Sequence, residues 1–135
     1  MSIEFLFLGM FGVMMELIFV AFRDLIKDKN SWCMRGDISI WMFLVYAAGL
    51  SHGFDLVEYL IPHDFLRYFS YPFWVWMVEI AVGYPLSQKN IRLWNYNYLP
   101  DKYHWKGLIS FAHYPVWVIF GILVEVVKLF LDTHI

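Results

Sequence analysis

Four long stretches in which most positions are apolar are separated by polar breaks along the chain. The first runs from about Glu4 to Phe22 (4–22), the second from about Ile38 to Ile61 (38–61), the third from about Phe65 to Leu86 (65–86) and the fourth from about Gly107 to Leu131 (107–131). The hydrocarbon core of a bilayer takes ~20 mostly apolar residues per helix, and each stretch meets that length. Lipid offers no partner to backbone N–H and C=O groups, so each crossing is expected as a helix. The short alternating segments of a membrane β-barrel are a different pattern. The expected fold class is all-α: a polytopic membrane protein with four transmembrane helices in two similar parallel halves, forming a single domain over residues 1–135.

The basic residues set an orientation. Arg23, Lys27, Lys29 and Arg35 fall between the first two stretches, and Lys89, Arg92, Lys102 and Lys106 between the last two; only Arg67 and Lys128 lie elsewhere. Lysine and arginine collect on the cytoplasmic side, so both termini are expected outside and the two basic loops inside. The outer connection, Pro62-His63-Asp64, is short enough to make the second and third crossings a tight antiparallel pair. Met1-Ser2-Ile3-Glu4 lacks the positive start of a signal peptide, so no cleaved leader is expected.

Composition agrees with lipid as the solvent. Charged residues make up 16% of the chain, against about a quarter in soluble domains. The aromatic share of 21% suits interfacial belts of tryptophan and tyrosine. A net charge of −2 disfavours nucleic acid, whose binders carry a basic patch. The one cysteine, Cys33, excludes an intrachain disulfide and is expected as a free thiol on the reducing side. The lipid bilayer is the expected first partner, and no cofactor is expected.

The two halves echo each other. Arg35-Gly36-Asp37-Ile38-Ser39 introduces the second stretch and Lys106-Gly107-Leu108-Ile109-Ser110 the fourth; Trp41 and Trp117 follow, and Glu16 and Glu79 precede. Both pairs enter from the cytoplasmic side, which makes a parallel repeat, and membrane transporters are often built from repeats. A second echo runs in another register: Phe11-Gly12 with Glu16 matches Phe120-Gly121 with Glu125, and Tyr71-Pro72-Phe73-Trp74-Val75 matches Tyr114-Pro115-Val116-Trp117-Val118. The two echoes cannot share one duplication, and similar packing solutions are the alternative.

Polar residues inside the stretches are the site candidates. Steps of three or four stay on one helix face, so Gly9, Gly12, Glu16 and Arg23 group together, as do Pro72, Trp76, Glu79 and Gly83, and His113, Trp117, Gly121 and Glu125. The glycines would let a neighbouring helix come close. Glu125 and Lys128 can pair along their own helix. Glu16 and Glu79 have no such neighbour, are deepest in their stretches and are expected as a central pair. An ionised carboxylate at mid-span costs at least ~2.5 kcal/mol, so intramembrane acids are functional candidates by default. Glu16, Glu79, His113 and Glu125 are the proton, ion or substrate candidates; helix packing is the competing reading. His52, Asp55 and Glu58 share a face at the outer end of the second stretch and are weak metal candidates, since metal sites need more convergent ligands.

On the inner side, Arg35-Gly36 and Lys106-Gly107 are expected at helix N-termini, where free N–H groups favour anions. Trp94, in the aromatic segment Leu93-Trp94-Asn95-Tyr96-Asn97-Tyr98, is expected at headgroup level. Lipid phosphate is the natural ligand for this group, with ordinary positive-inside anchoring as the alternative.

These residues carry a family resemblance over nearly the whole chain. Gly12-Val13-Met14-Met15-Glu16, then Arg35-Gly36 with Ser39 and Trp41, resembles the first half of the ABC-transporter type IV (CmpB-type) small integral membrane proteins. Trp94-Asn95-Tyr96-Asn97, Trp105-Lys106-Gly107-Leu108-Ile109-Ser110, and Trp117 with Gly121 and Glu125 resemble its second half. Asn95 stands where that family usually has aspartate, and Asp37 where it has histidine or a small polar residue. The resemblance implies a bacterial membrane subunit without naming a substrate, with a separate ATPase or another membrane subunit as the alternatives for a partner; the sequence has no Walker motif of its own.

The leading expectation for function is thus a permease-like or transport-associated subunit, assembled as a homo-oligomer, with Glu16 and Glu79 as responsive groups. A non-catalytic membrane scaffold, in which the acids only fix packing, is the alternative. An intramembrane metal enzyme using His52, Asp55 and Glu58 is the third.

Overall fold

The computed structural model describes residues 2–27 and 38–134. Cys33, Arg35, Gly36 and Asp37 lie outside the described residues. The chain divides into two compact units, 1–53 and 54–135, and the boundary falls inside the second expected crossing.

The first unit is built on α1 (Ile3–Lys27) and α2 (Trp41–Ala48). Ser2 caps α1: its hydroxyl accepts from Phe5 N–H at 3.2 Å and its carbonyl from Leu6 N–H at 3.2 Å, which serves the unsatisfied donors of a first turn. The two helices meet where α1 has no side chains. A Cβ at Gly9 would stand 2.7 Å from the Phe43 ring, and one at Gly12 would overlap the Tyr46 ring. The close approach expected at the α1 glycines is therefore made within the chain, by α2.

After Ala48 the backbone widens into a π-helical stretch, Gly49–Gly53. Its sequence explains the change. Gly49 and Gly53 are weak helix formers, and the Ser51 hydroxyl bonds the Ala47 carbonyl at 2.5 Å, competing with the regular ladder. Neither glycine is demanded by packing, since a Cβ at either meets no atom within 4 Å.

The second unit contains α3 (Phe54–Leu60), α4 (Asp64–Gln88) and α5 (Tyr114–His134). Between α4 and α5 lies a small antiparallel hairpin of β1 (His104–Trp105) and β2 (Ile109–Ser110), in register His104 to Ser110 and Trp105 to Ile109. This corrects the expected start of the fourth helix at Gly107. Residues 107–110 turn and return along the hairpin, Phe111–His113 make one 3-10 turn, and α5 opens at Tyr114. Pro115, in the first turn, supplies the reason: its missing N–H is harmless there and its φ suits a helix start. Likewise α2 opens at Trp41, three residues later than the pattern suggested.

Polarity in α4 and α5 runs opposite to that of a water-soluble bundle. On α4, Arg67 and Glu79 are buried while Phe65, Leu66, Phe69, Phe73 and Met77 are each more than half exposed. On α5, Glu125 and Lys128 are buried while Ile119, Val126, Leu129 and Phe130 face outward. Rows of large apolar side chains facing outward while charged ones are buried are the pattern of a surface that meets an apolar environment or a partner. Among the described residues, two helical segments, Ile3–Ile26 and Phe111–His134, are long and apolar enough to cross a membrane. Helix α4 matches them in length with 25 residues, but Arg67, Glu79, two prolines and its tyrosines lower its apolar character.

The glycines sort into two classes by what a side chain would meet. Gly12→Val and Gly121→Val are expected to overpack the Tyr46 and Tyr71 rings, at ~1–3 kcal/mol each. Gly49→Ala and Gly53→Ala are expected to leave stability unchanged or raise it by up to ~1 kcal/mol. Thermal melts of each variant, followed by circular dichroism in detergent, check the contrast.

Candidate functional site

The short turn after α3 places a cation against carbonyl groups. Residues 61–63 connect α3 to α4, and Arg67 sits one turn into α4. Its Nη1 donates to the carbonyls of Ile61 and Pro62, both at 3.2 Å. Nη2 donates to Asp64 Oδ1 at 2.7 Å and to Glu125 Oε2 at 3.2 Å, and Nε donates to Glu125 Oε1. These contacts match the five N–H groups of a guanidinium. The pair with Glu125 is a two-point, fork-shaped contact, the geometry in which arginine holds a carboxylate best. The side chains of Arg67 and Glu125 are 10% and 8% exposed, so little solvent screens them. Tyr71, one turn further along α4, also donates to Glu125 Oε1.

Glu125 can reach that position because α5 is bare one turn earlier. A Cβ at Gly121 would overlap the Tyr71 ring, so the glycine admits the ring whose hydroxyl then meets Glu125. Tyr71 in turn stacks on Phe54 of α3, with ring centroids 4.7 Å apart. On the same face of α5, Lys128 donates to Asp55 of α3 at 2.5 Å. Glu125 and Lys128 thus each bond across to another helix, where the sequence suggested a pair along α5. Arg67 was not among the sequence candidates. Its signal was present, however: Arg67 and Lys128 are the two basic residues outside the basic loops.

The other acids are served in the same way. Glu16 of α1 accepts from the Tyr46 hydroxyl at 2.5 Å, and the Tyr46 ring lies in the recess at Gly12, four residues before Glu16. Glu79 accepts from the Tyr96 hydroxyl at 2.8 Å. Four residues beyond it, Gly83 receives the Trp94 ring, with a Cβ there only 2.9 Å from the indole. The Tyr96 ring also approaches His113, at 5.6 Å between centroids. Glu16 and Glu79, expected as a pair without local partners, each have a tyrosine donor within their own unit. Each of these glutamates lies four residues from a glycine that receives an aromatic ring. The echo of Phe11-Gly12-Glu16 in Phe120-Gly121-Glu125 has this contact as its structural meaning.

The loop between α4 and α5 folds back on α4. Trp94 Nε1 donates to the Leu108 carbonyl at 2.8 Å, Trp76 Nε1 to the Ser110 carbonyl at 3.2 Å, and Tyr96 N–H to the Gly107 carbonyl at 2.9 Å. Lys106 and Gly107 do not begin a helix, as the sequence suggested. They are the central residues of the hairpin turn, with φ of +52° and +67°, and Leu108 N–H closes it on the Trp105 carbonyl at 2.9 Å. Two positive φ values in succession mark a mirror-image β-turn over Trp105 to Leu108, set within a three-residue connection between the paired Trp105 and Ile109. Gly107 is required there, both for its φ and because the side-chain oxygens of Asn95 and Asn97 crowd the space of a Cβ.

Of the remaining candidates, His52 is exposed, with its ring 6.3 Å from Phe5, Asp55 is exposed and Glu58 half-buried. No group of three or more His, Cys, Asp or Glu side chains that could hold a metal ion occurs among the described residues. Arg35 and Gly36 lie outside them. No protein-family model matches the chain, and no solved structure matches it.

The buried clamp predicts a specific pattern of coupling. Arg67→Met is expected to cost about 3–5 kcal/mol, because it leaves the buried Glu125 without its cation, and Glu125→Leu less, because Asp64 and the two turn carbonyls still hold Arg67; the double variant recovers most of the larger loss. Lys128→Met is expected to cost less, since its partner Asp55 is 60% exposed and stays solvated. Unfolding midpoints of the single and double variants, combined as a double-mutant cycle, check this.

Proposed function

We propose that the chain is an integral membrane protein with four crossings and both termini outside, acting as a non-catalytic packing subunit. One observation carries the subunit reading. Three acids within the expected crossings, Glu16, Glu79 and Glu125, each accept from a tyrosine hydroxyl distant in sequence, on a neighbouring helix for Glu16 and Glu125 and on the loop after α4 for Glu79, and each lies one turn from a glycine filled by an aromatic ring. Groups engaged in this way fix how helices meet. The outward apolar faces of α4 and α5 support the membrane setting. Helix α4 is roughly 38 Å long at 1.5 Å per residue, enough for a core of ~30 Å. The apolar stretch 38–61 has the ~20 residues that a further crossing takes.

The resemblance to ABC-transporter type IV membrane proteins supports the same setting, and with it the bacterial cytoplasmic membrane and a separate ATPase as partner. A second copy of the chain would assemble through the outward apolar faces, because Gly9, Gly12, Gly83 and Gly121 are filled from within the chain. A second reading, a transport-associated subunit, is favoured by one arrangement. Glu79, Tyr96 and His113 follow one another as carboxylate, phenol and imidazole, a sequence of groups suited to proton relay.

Reconstitution separates the two readings. For a packing subunit, Tyr71→Phe and Glu16→Gln lower the melting temperature or shift the oligomeric state, and vesicles holding the wild-type protein keep an imposed proton gradient as long as empty ones. If the wild type dissipates the gradient, and Glu79→Gln abolishes that flux without a change in melting temperature, the packing reading is overturned in favour of the second.

A further inference from the structure

The turn between β1 and β2 holds a lysine where local geometry favours another residue. Lys106 has a φ of +52°, in the left-handed region that glycine and asparagine tolerate and other residues rarely adopt. Its ammonium stands over two rings, 4.9 Å from the centroid of Trp105 and 5.2 Å from that of Tyr84. Arg92 joins it, donating from Nη1 to the Lys106 carbonyl at 3.2 Å. Two exposed cations therefore share one turn. The segment 89–113 carries four basic residues, Lys89, Arg92, Lys102 and Lys106, against one acid, Asp101, and Asp101 lies beside His104 at 3.4 Å.

An apolar stripe leads to this turn. Phe73, Met77, Ile80 and Tyr84 are spaced by four, three and four residues along α4, and all four are exposed. Eleven steps of 1.5 Å make the stripe about 17 Å long, close to half of a ~30 Å hydrocarbon core. Its far end, at Tyr84, is the ring under the Lys106 ammonium.

We propose that this surface seats one anionic phospholipid, with its acyl chains along the Phe73–Tyr84 stripe and its headgroup phosphate against Lys106 and Arg92. The inference rests on the membrane reading above and adds a ligand to it. A headgroup without tails would use only the turn, and a neutral lipid only the stripe; the contiguity of the two selects an anionic lipid. The Lys106 ammonium stands beside an aromatic platform of Trp105 and Tyr84, rings of the kind that suit the interfacial layer.

The test uses the purified full-length protein in neutral detergent, with phosphatidylglycerol and phosphatidylcholine of matched chains counted on it by native mass spectrometry. The wild type is expected to prefer phosphatidylglycerol by about thirtyfold, the ratio that ~1 kcal/mol for each of two basic residues gives. Lys106→Asn combined with Arg92→Gln is expected to bring the preference close to one. Lys106→Asn suits the turn, so its melting temperature without added lipid should not fall, which separates loss of the seat from loss of fold. Equal binding of the two lipids by the wild type, or an unchanged preference in the double variant, overturns the proposal. So does displacement of phosphatidylglycerol by millimolar inorganic phosphate, which would assign the turn to a free anion. Extraction of cell membranes at alkaline pH tells the two levels apart: protein retained in the bilayer without lipid preference refutes the seat alone, and protein released into solution refutes the membrane reading with it.

Discussion

The second unit depends on keeping the Arg67 charge out of apolar surroundings. A guanidinium in a low-dielectric setting is tolerated only when it is paired and its donors are used. Arg67 meets that condition with groups from three places: the turn carbonyls of Ile61 and Pro62, Asp64 on its own helix, and Glu125 on α5. Those bonds fix the end of α3, the start of α4 and the rotation of α5 at once. The rotation of α5 then determines that Lys128, three residues on, turns to Asp55 of α3.

Small residues make this arrangement sterically open. Gly121 leaves room for Tyr71, and Tyr71 supplies both a ring to Phe54 and a hydroxyl to Glu125. The same economy recurs in the first unit with Gly12, Tyr46 and Glu16. It recurs with a division of labour at Gly83 and Glu79, where Trp94 fills the recess and Tyr96 gives the hydroxyl. A carboxylate held in this way is an oriented acceptor, between two helices for Glu16 and Glu125 and between helix and loop for Glu79. This accounts for acids in apolar stretches without requiring a reacting partner. The Glu79 case differs in one respect, since Tyr96 lies against His113 as well, and it is there that relay chemistry has a geometric basis.

Much of the helical layout was legible from the pattern of residues. Helix α4 lies within two residues of the expected third stretch at each end, because a short polar turn and a polar tail bound an apolar run. Helix α1 extends further than expected because Arg23 to Lys27 continue the helix after the apolar run stops. The fourth stretch was misread at its start, since Leu108 and Ile109 are as apolar as a helix needs but lie buried in a hairpin. Periodicity cannot tell a short buried strand from the first turn of a helix. The π-helical stretch at Gly49–Gly53 was equally hidden, because two glycines and a hydroxyl that bonds back to the Ala47 carbonyl widen the helix without ending it.

Taken alone, the sequence determined the helical class, the apolar lengths, the basic loops and the list of acids that needed partners. These are properties of single residues and their spacing, and they hold whatever the chain packs against. Which partner each acid takes was decided only by tertiary structure. The hydroxyls of Tyr46, Tyr71 and Tyr96 lie 30, 54 and 17 positions from the glutamates they serve, and nothing local links them. Lys106 shows the same division. Its charge was plain in the sequence, while its place on a strained hairpin turn between two rings came from the fold, because a positive φ is imposed by the closing of a turn and not by the residue that occupies it.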